Sequence, residues 1–255
     1  MKGLQGRRVI LTGGASGIGR AAALRLGAEG CVVGIFDLNE SGAQDTARAI
    51  TEAGGQAVAY RVDIADRAQV SAAHTGFEAQ FGPVEGLANI AGWDAAMNFL
   101  DTDPEFWDKV IRINLYGPLT MHHVVLKGMA ARGFGRVVNI SSDAGRVGSS
   151  GEAVYSACKG GIIAFGKTVA RELAGKGVTV NTLCPGPTDT PILQSFFGAG
   201  EAGVKIAEGL KRAIPMKRLG EPEDYAAMIA MLLSDDVAYM TGQTFSISGG
   251  LTMHG

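Results

Sequence analysis

Little in this sequence points to covalent cross-links, metals, membranes or nucleic acids. Its 255 residues include only 3 cysteines. Cys31, Cys158 and Cys184 form an odd set in apolar or helical contexts without metal-ligand spacing, so packing roles are expected and no metal centre. Cys158 has no neighbouring His or Asp in sequence to activate it as a nucleophile. Of the 4 histidines, His122 and His123 fall mid-helix, where structural or interfacial roles are expected. No apolar run approaches the roughly 18 residues of a membrane span. The first residues, Met-Lys-Gly-Leu-Gln-Gly-Arg-Arg, lack the apolar core of a secretory signal, so a cytoplasmic location is expected. A formal charge of −2 argues against a nucleic-acid surface.

What the chain does have is a regular rhythm. A composition of 46% hydrophobic and 19% charged residues suits a globular protein. Apolar runs near 8–12, 31–36, 56–62, 86–89, 135–140, 178–183 and 243–247 alternate with helical patterns, which predicts a single α/β domain over 1–255 with a parallel sheet of about seven strands. Such sheets bind ligands beyond the carboxyl ends of their strands. Gly13, Asp37, Asp63, Asn89, Ser142 and Pro185 all follow predicted strands closely and are expected at one edge. The irregular stretch 190–214 reads as a substrate lid or as a surface helix pair. The tail 243–253 reads as part of a subunit interface or as an edge strand.

After the first strand, Gly13-Gly-Ala-Ser-Gly17-Ile-Gly19 opens a helix rich in Ala, Leu and Arg. Glycines at a strand-to-helix turn let backbone N–H groups approach a pyrophosphate, and the helix N-terminus adds positive partial charge. The second strand ends in Asp37, where a ribose-binding carboxylate belongs. Such a carboxylate repels a 2′-phosphate, and Ala15, Ser16 and Leu38 supply no cation to answer one; NAD is the expected cofactor. The alternative for Asp37 is a helix N-cap, the role expected of Asp66.

Tyr155 and Lys159 stand four apart in Val154-Tyr-Ser-Ala-Cys-Lys-Gly160, on one helix face. The ammonium is expected to lower the phenol pKa, making Tyr155 a proton donor and acceptor near neutral pH. Ser142, thirteen residues upstream, follows a predicted strand and is expected to hold a substrate oxygen.

Together these motifs resemble the short-chain dehydrogenases/reductases over nearly the whole chain, about 4–250. The matching stretches are Thr12-Gly-Gly-Ala-Ser-Gly-Ile-Gly19, Asp63, Asn89-Ile-Ala-Gly92, Asn114, Ser142, Tyr155, Lys159 and Pro185-Gly-Pro-Thr188. The resemblance implies a doubly wound Rossmann fold, a homotetramer and NAD-linked interconversion of a secondary alcohol and a ketone. It implies catalytic roles for Asn114, Ser142, Tyr155 and Lys159, with Asn114 holding a water next to Lys159. Cofactor contacts are implied for Gly13, Ser16, Gly17, Ile18, Gly19, Asp37, Leu38, Asp63, Ile64, Asn89, Ala91, Gly92, Tyr155, Lys159, Pro185, Gly186 and Thr188, the last through its hydroxyl. Ile90 departs from the family, which usually has a second Asn there.

Around the site the chain is similar to the subfamily of 2-hydroxycyclohexanecarboxyl-CoA dehydrogenases. Shared stretches include Gly92-Trp-Asp94, Met121-His-His123, Ser142 to Tyr155 and Cys184 to Thr190. This implies a cyclic 2-hydroxyacyl-CoA substrate and no nucleic-acid or membrane partner. Trp93, Asp94, Asp143, Arg146, Glu152 and Leu193 flank the motifs and are expected in the substrate pocket. Arg146, Lys205, Lys211 and Arg212 are the nearest cations in sequence for the phosphates of a CoA thioester. Alternatives are a dehydrogenase of free secondary alcohols, a 3-oxoacyl thioester reductase and a nucleotide-binding regulatory protein.

Overall fold

The computed structural model describes residues 1–197 and 201–253, without the side chains of 195–197 and 201–206. Seven parallel strands form one sheet in the order β3-β2-β1-β4-β5-β6-β7. They are β1 (Arg8–Thr12), β2 (Val32–Asp37), β3 (Gln56–Arg61), β4 (Gly86–Asn89), β5 (Gly135–Ile140), β6 (Val178–Pro185) and β7 (Thr244–Ile247). The tail is therefore an edge strand within the subunit, in register with β6. The order reverses between β1 and β4, so the loops leaving these strands part and open a crevice.

The central strands are mostly apolar because both faces of the sheet are covered. Val9, Leu11, Val33 and Ile35 enter one core with Ala22 and Leu26 of α1 (Gly17–Ala28), Ala43 and Ile50 of α2 (Glu40–Glu52), and Tyr225 and Ile229 of α10 (Pro222–Leu233). Ile10, Val32 and Phe36 enter the other, with Phe77 of α3 (Arg67–Phe81), Met121 and Val125 of α5 (Gly117–Arg132), and Val169 of α7 (Ala153–Leu173). Side chains of Leu, Ile and Phe size contribute about 1.5–3 kcal/mol each when fully buried. An acidic group at Leu11 would remove that gain and leave a charge inside the core. Gly34 marks where Phe77 meets the sheet: a Cβ there would lie 2.8 Å from the ring.

Asp66 caps α3, accepting from the N–H groups of Ala68 and Gln69, as its sequence position predicts. Asn39, rather than Asp37, caps α2. The helix α4 (Pro104–Ile111) passes into α5 through a π-helical segment, Arg112–Tyr116, that no periodicity in the sequence announces. The short α6 (Ala144–Val147) follows β5. In the predicted lid, α8 (Pro191–Phe197) and α9 (Glu201–Ala213) form; residues 198–200 and the Lys205 side chain lie outside the described residues.

Candidate active site

The loops after β1 and β4 touch at the strand-order reversal. Gly13 has φ 76°, and a Cβ on it would lie 2.8 Å from Ala91 Cα. Thr12 fastens the two loops, its hydroxyl oxygen accepting from the N–H groups of Ile90 (3.0 Å) and Ala91 (3.1 Å). Gly17 has φ 51°, and a Cβ on Gly19 would overlap the Gly13 carbonyl oxygen at 1.9 Å. Only glycine permits this tight turn, which leaves the first N–H groups of α1 facing the crevice. Ser16 is the N-cap and makes no side-chain cap bond. These features fit a pyrophosphate at the turn. Ile18 is partly buried against the first core.

At the end of β2, Asp37 accepts from the N–H of Ala15 through Oδ2 and from that of Asn39 through Oδ1, each at 2.9 Å. These bonds leave lone pairs on both oxygens. Leu38 beside it is 55% exposed and carries no charge, and no ion pair to Asp37 forms among the described residues. Asp63 accepts from the N–H of Ala65 and lies 3.9 Å from Arg112, whereas Ile64 is buried against Gly117. The Asn89 amide points inward, donating to Asn139 Oδ1 at 3.1 Å, with His122 on its other side. His122 Nδ1 lies 2.7 Å from the Pro118 carbonyl and must carry the proton of that bond; burial pulls the ring down to about 4.

Ser142, Tyr155 and Lys159 meet beyond the end of β5. Ser142 Oγ accepts from the N–H of Ala144 at 3.1 Å, and its hydrogen bond with Tyr155 favours phenolate. Lys159 is 3% exposed; its Nζ donates to the Ile140 carbonyl at 3.0 Å and sits 5.4 Å from the centroid of the Tyr155 ring. Gly92 packs tightly here, for a Cβ on it would lie 3.0 Å from Asn114 Oδ1 and 3.4 Å from Lys159 Nζ. Asn114, inside the π-helical segment, donates to the carbonyls of Trp93 (2.6 Å) and Val110 (2.9 Å) and accepts from the Trp93 N–H. The buried Asn is thus explained by a clamp on the loop after β4, and its Oδ1 faces the lysine.

One electrostatic expectation is corrected. Tyr155 is pushed above its ordinary pKa, by burial first and then by Glu152 and Asp94. Burial brings Lys159 itself down to about 8. An ammonium bound to a carbonyl and 5.4 Å from the ring centre does not outweigh desolvation of the phenol.

A small pocket opens beside Tyr155, lined by Asp94, Met97, Phe99, Phe106, Glu152 and Val154 among others. Of the residues expected there, Asp94 and Glu152 line it. Trp93 turns beneath Lys109, whose Nζ lies 3.6 Å from its ring, and Leu193 is partly buried in α8. Asp143 and Arg146 face away: Arg146 donates to Ser246 Oγ at 3.0 Å, and Ser246 donates to Asp143. That bond ties α6 to β7, so Arg146 is not a free cation for a phosphate. Lys211 and Arg212 are exposed.

Pro185 and Gly186 end β6, and Gly186 abuts Ser248. Thr188 is buried, its hydroxyl bonded to the Gly186 carbonyl at 2.8 Å and to the Tyr225 hydroxyl at 2.7 Å. Its proton is engaged inside the protein. Thr190 instead reaches the glycine turn, with Cγ2 3.3 Å from where a Gly17 Cβ would stand. Sequence reasoning passed over it; the signal was a second hydroxyl two positions beyond Thr188. Met97, Phe99 and Phe106 were missed because no motif contains them.

Comparison with known proteins agrees with this architecture. The family model described as enoyl-(acyl carrier protein) reductase matches residues 13–252. Similar relatives include 2-(S)-hydroxypropyl-CoM dehydrogenase 3 of Xanthobacter autotrophicus, 35% identical with 98% of each chain covered. The acetoacetyl-CoA reductase of Rhizobium meliloti is 38% identical, with 96% of this chain and 98% of that one covered. Among solved structures, levodione reductase superposes with a TM-score of 0.93 at 33% identity, covering 96% of this chain and 97% of its own. The chain belongs to the short-chain dehydrogenase/reductase family.

Proposed function

We propose that this protein interconverts a secondary alcohol and a ketone with NAD as coenzyme, acting on a hydroxyacyl thioester. The observation that carries the reading is the meeting of Ser142, Tyr155 and Lys159 beyond β5, beside a pocket and in line with the glycine turn after β1. NAD, bound with its pyrophosphate at Gly13, Ser16, Gly17 and Gly19, would supply the hydride acceptor. Thr190 adjoins the same turn, its methyl group standing beside Gly17. Asp37 would accept from the ribose hydroxyls, and its negative charge beside exposed Leu38 disfavours a 2′-phosphate. Asp63, Ile64, Asn89, Ala91 and Gly92 form the remaining wall, Asn89 through the packing it gives the β4 end.

Ser142 holds the substrate oxygen, and Tyr155 takes the hydroxyl proton in oxidation or returns it in reduction. The raised phenol needs help to ionise. Lys159 would supply it, with the ribose of a bound coenzyme as a further partner for its ammonium, and Asn114 fixes the loop beside it. Pro185, Gly186 and Thr188 would shape the floor on the nicotinamide side of a bound coenzyme.

A cyclic 2-hydroxyacyl-CoA is the substrate favoured by the residues around the pocket, whose apolar wall of Met97, Phe99, Phe106 and Val154 suits a ring. A reductive 3-oxoacyl thioester role is the second reading, favoured by the likeness to an acetoacetyl-CoA reductase. The test is reduced-coenzyme formation with NAD or NADP and 2-hydroxycyclohexanecarboxyl-CoA, beside 3-hydroxybutyryl-CoA and cyclohexanol. Turnover with NAD chiefly on the ring thioester supports the first reading. Preference for 3-hydroxybutyryl-CoA supports the second, and a requirement for NADP would refute the role given to Asp37.

A further inference from the structure

The loop after β4 and the start of α7 bring two carboxyl groups together beside Tyr155. Asp94 is 4% exposed, Glu152 is half-buried, and both line the pocket. Two ionised carboxylates cannot hydrogen-bond, because each only accepts; with one proton between them they can. Asp94 Oδ2 is buried and meets no donor among the described residues, yet the two side chains stand within hydrogen-bond reach. An ionised oxygen left in that state is costly, and a proton on Asp94 removes the cost. Burial first, and Glu152 second, push Asp94 up to about 7. The other groups acting on it are the N–H of Ala95 on its own loop and Lys159 from α7, and neither reverses that direction.

We propose that Asp94 and Glu152 share one proton and act as a specificity filter, admitting substrates that are uncharged next to the reacting carbon and rejecting those with a carboxylate there. The inference rests on the reading of Tyr155 as the proton-transfer residue, because that places the reacting carbon next to the pair. The pair retains one negative charge in a pocket walled by Met97, Phe99, Phe106 and Val154. A substrate carboxylate would meet that charge at low local dielectric, where repulsion is strong. A thioester or ester carbonyl carries no charge and can accept the shared proton as a hydrogen bond. The site thus takes hydroxyacyl thioesters and excludes the hydroxy acids they release on hydrolysis.

The test compares kcat/KM for methyl 2-hydroxycyclohexanecarboxylate and the free acid in wild type, Asp94→Asn and the double variant Asp94→Asn/Glu152→Gln, together with binding of methyl cyclohexanecarboxylate and cyclohexanecarboxylate to the NADH complex. Wild type is expected to favour the ester at least about tenfold. Asp94→Asn keeps the negative charge on Glu152 and should leave that ratio within about twofold of wild type, whereas Asp94→Asn/Glu152→Gln removes the charge and should cut the ratio about fivefold or more through KM for the acid. A ratio within about twofold of wild type in the folded double variant, or one cut about fivefold by Asp94→Asn alone, would overturn the filter. A wild type that oxidises neither compound would refute the reaction instead. Binding then decides the filter: ester favoured in wild type and not in the double variant upholds it, and equal binding in both overturns it.

Discussion

Lys159 and Tyr155 lie one helical turn apart on α7, with Nζ 5.4 Å from the ring centroid, yet the lysine's hydrogen bond goes to the Ile140 carbonyl at the end of β5. The strand therefore fixes the ammonium, and the helix brings the phenol to it. Both residues thus stand on one helix, and the carbonyl at the strand end sets where the ammonium points.

Removing the Tyr155 hydroxyl should separate chemistry from binding. Tyr155→Phe is expected to lower kcat by about 10²- to 10⁴-fold, the usual contribution of general acid–base catalysis. Coenzyme affinity, measured by fluorescence quenching, should change less than about threefold, because the ring still fills its place.

Lys159 should set a pH dependence of stability. Its pKa falls from 10.5 to about 8 on folding, so the folded chain holds this proton more weakly than the unfolded one. For this group stability rises with pH between about 8 and 10.5, and below 8 the whole cost of burying the charge is present. Lys159→Met should relieve a cost on the order of 3 kcal/mol at pH 7 in the coenzyme-free protein. Thermal melts should show the variant several degrees above wild type at pH 7, with the gap closing towards pH 10, while turnover is lost.

Coenzyme choice should turn on Asp37. Asp37→Ala removes the charge that opposes a 2′-phosphate and is expected to shift the NADP-to-NAD ratio of kcat/KM upward by about tenfold or more. Adding Leu38→Arg should shift it further by supplying a phosphate partner.

Two glycines distinguish close approach from open surface. Gly19→Ala places a Cβ 1.9 Å from the Gly13 carbonyl oxygen, whereas nothing lies within 4 Å of a Cβ at Gly175. Titration should show coenzyme affinity weakened at least about tenfold in Gly19→Ala and unchanged in Gly175→Ala, with a melting temperature lowered only in the former.

The strands were legible because most are short apolar runs followed by a turn or charge, as Arg8–Thr12 and then Gly13 show. The capping role of Asp66 was legible for the same local reason. The π-helical segment at Asn114 was not, since it depends on the Asn114 amide bonding to Val110 and to the loop at Trp93, a tertiary choice. Flanking position also misled: Asp143 and Arg146 adjoin Ser142, but Ser246 of the distant edge strand draws both away from the pocket. The Tyr155 phenol shows the same limit. Spacing revealed its cation, whereas the acids Asp94 and Glu152 and the burial that outweigh it come from the folded loops.

The account's central claim is tested most directly by hydride transfer itself. Wild type and Tyr155→Phe would be given NAD and 2-hydroxycyclohexanecarboxyl-CoA deuterated at the carbinol carbon, and the coenzyme would be analysed by mass spectrometry. The expected result is one deuterium in the reduced coenzyme from wild type and at least about a hundredfold less labelled product per unit time from the variant. Absence of label with wild type, or equal labelling by both proteins, would contradict the account.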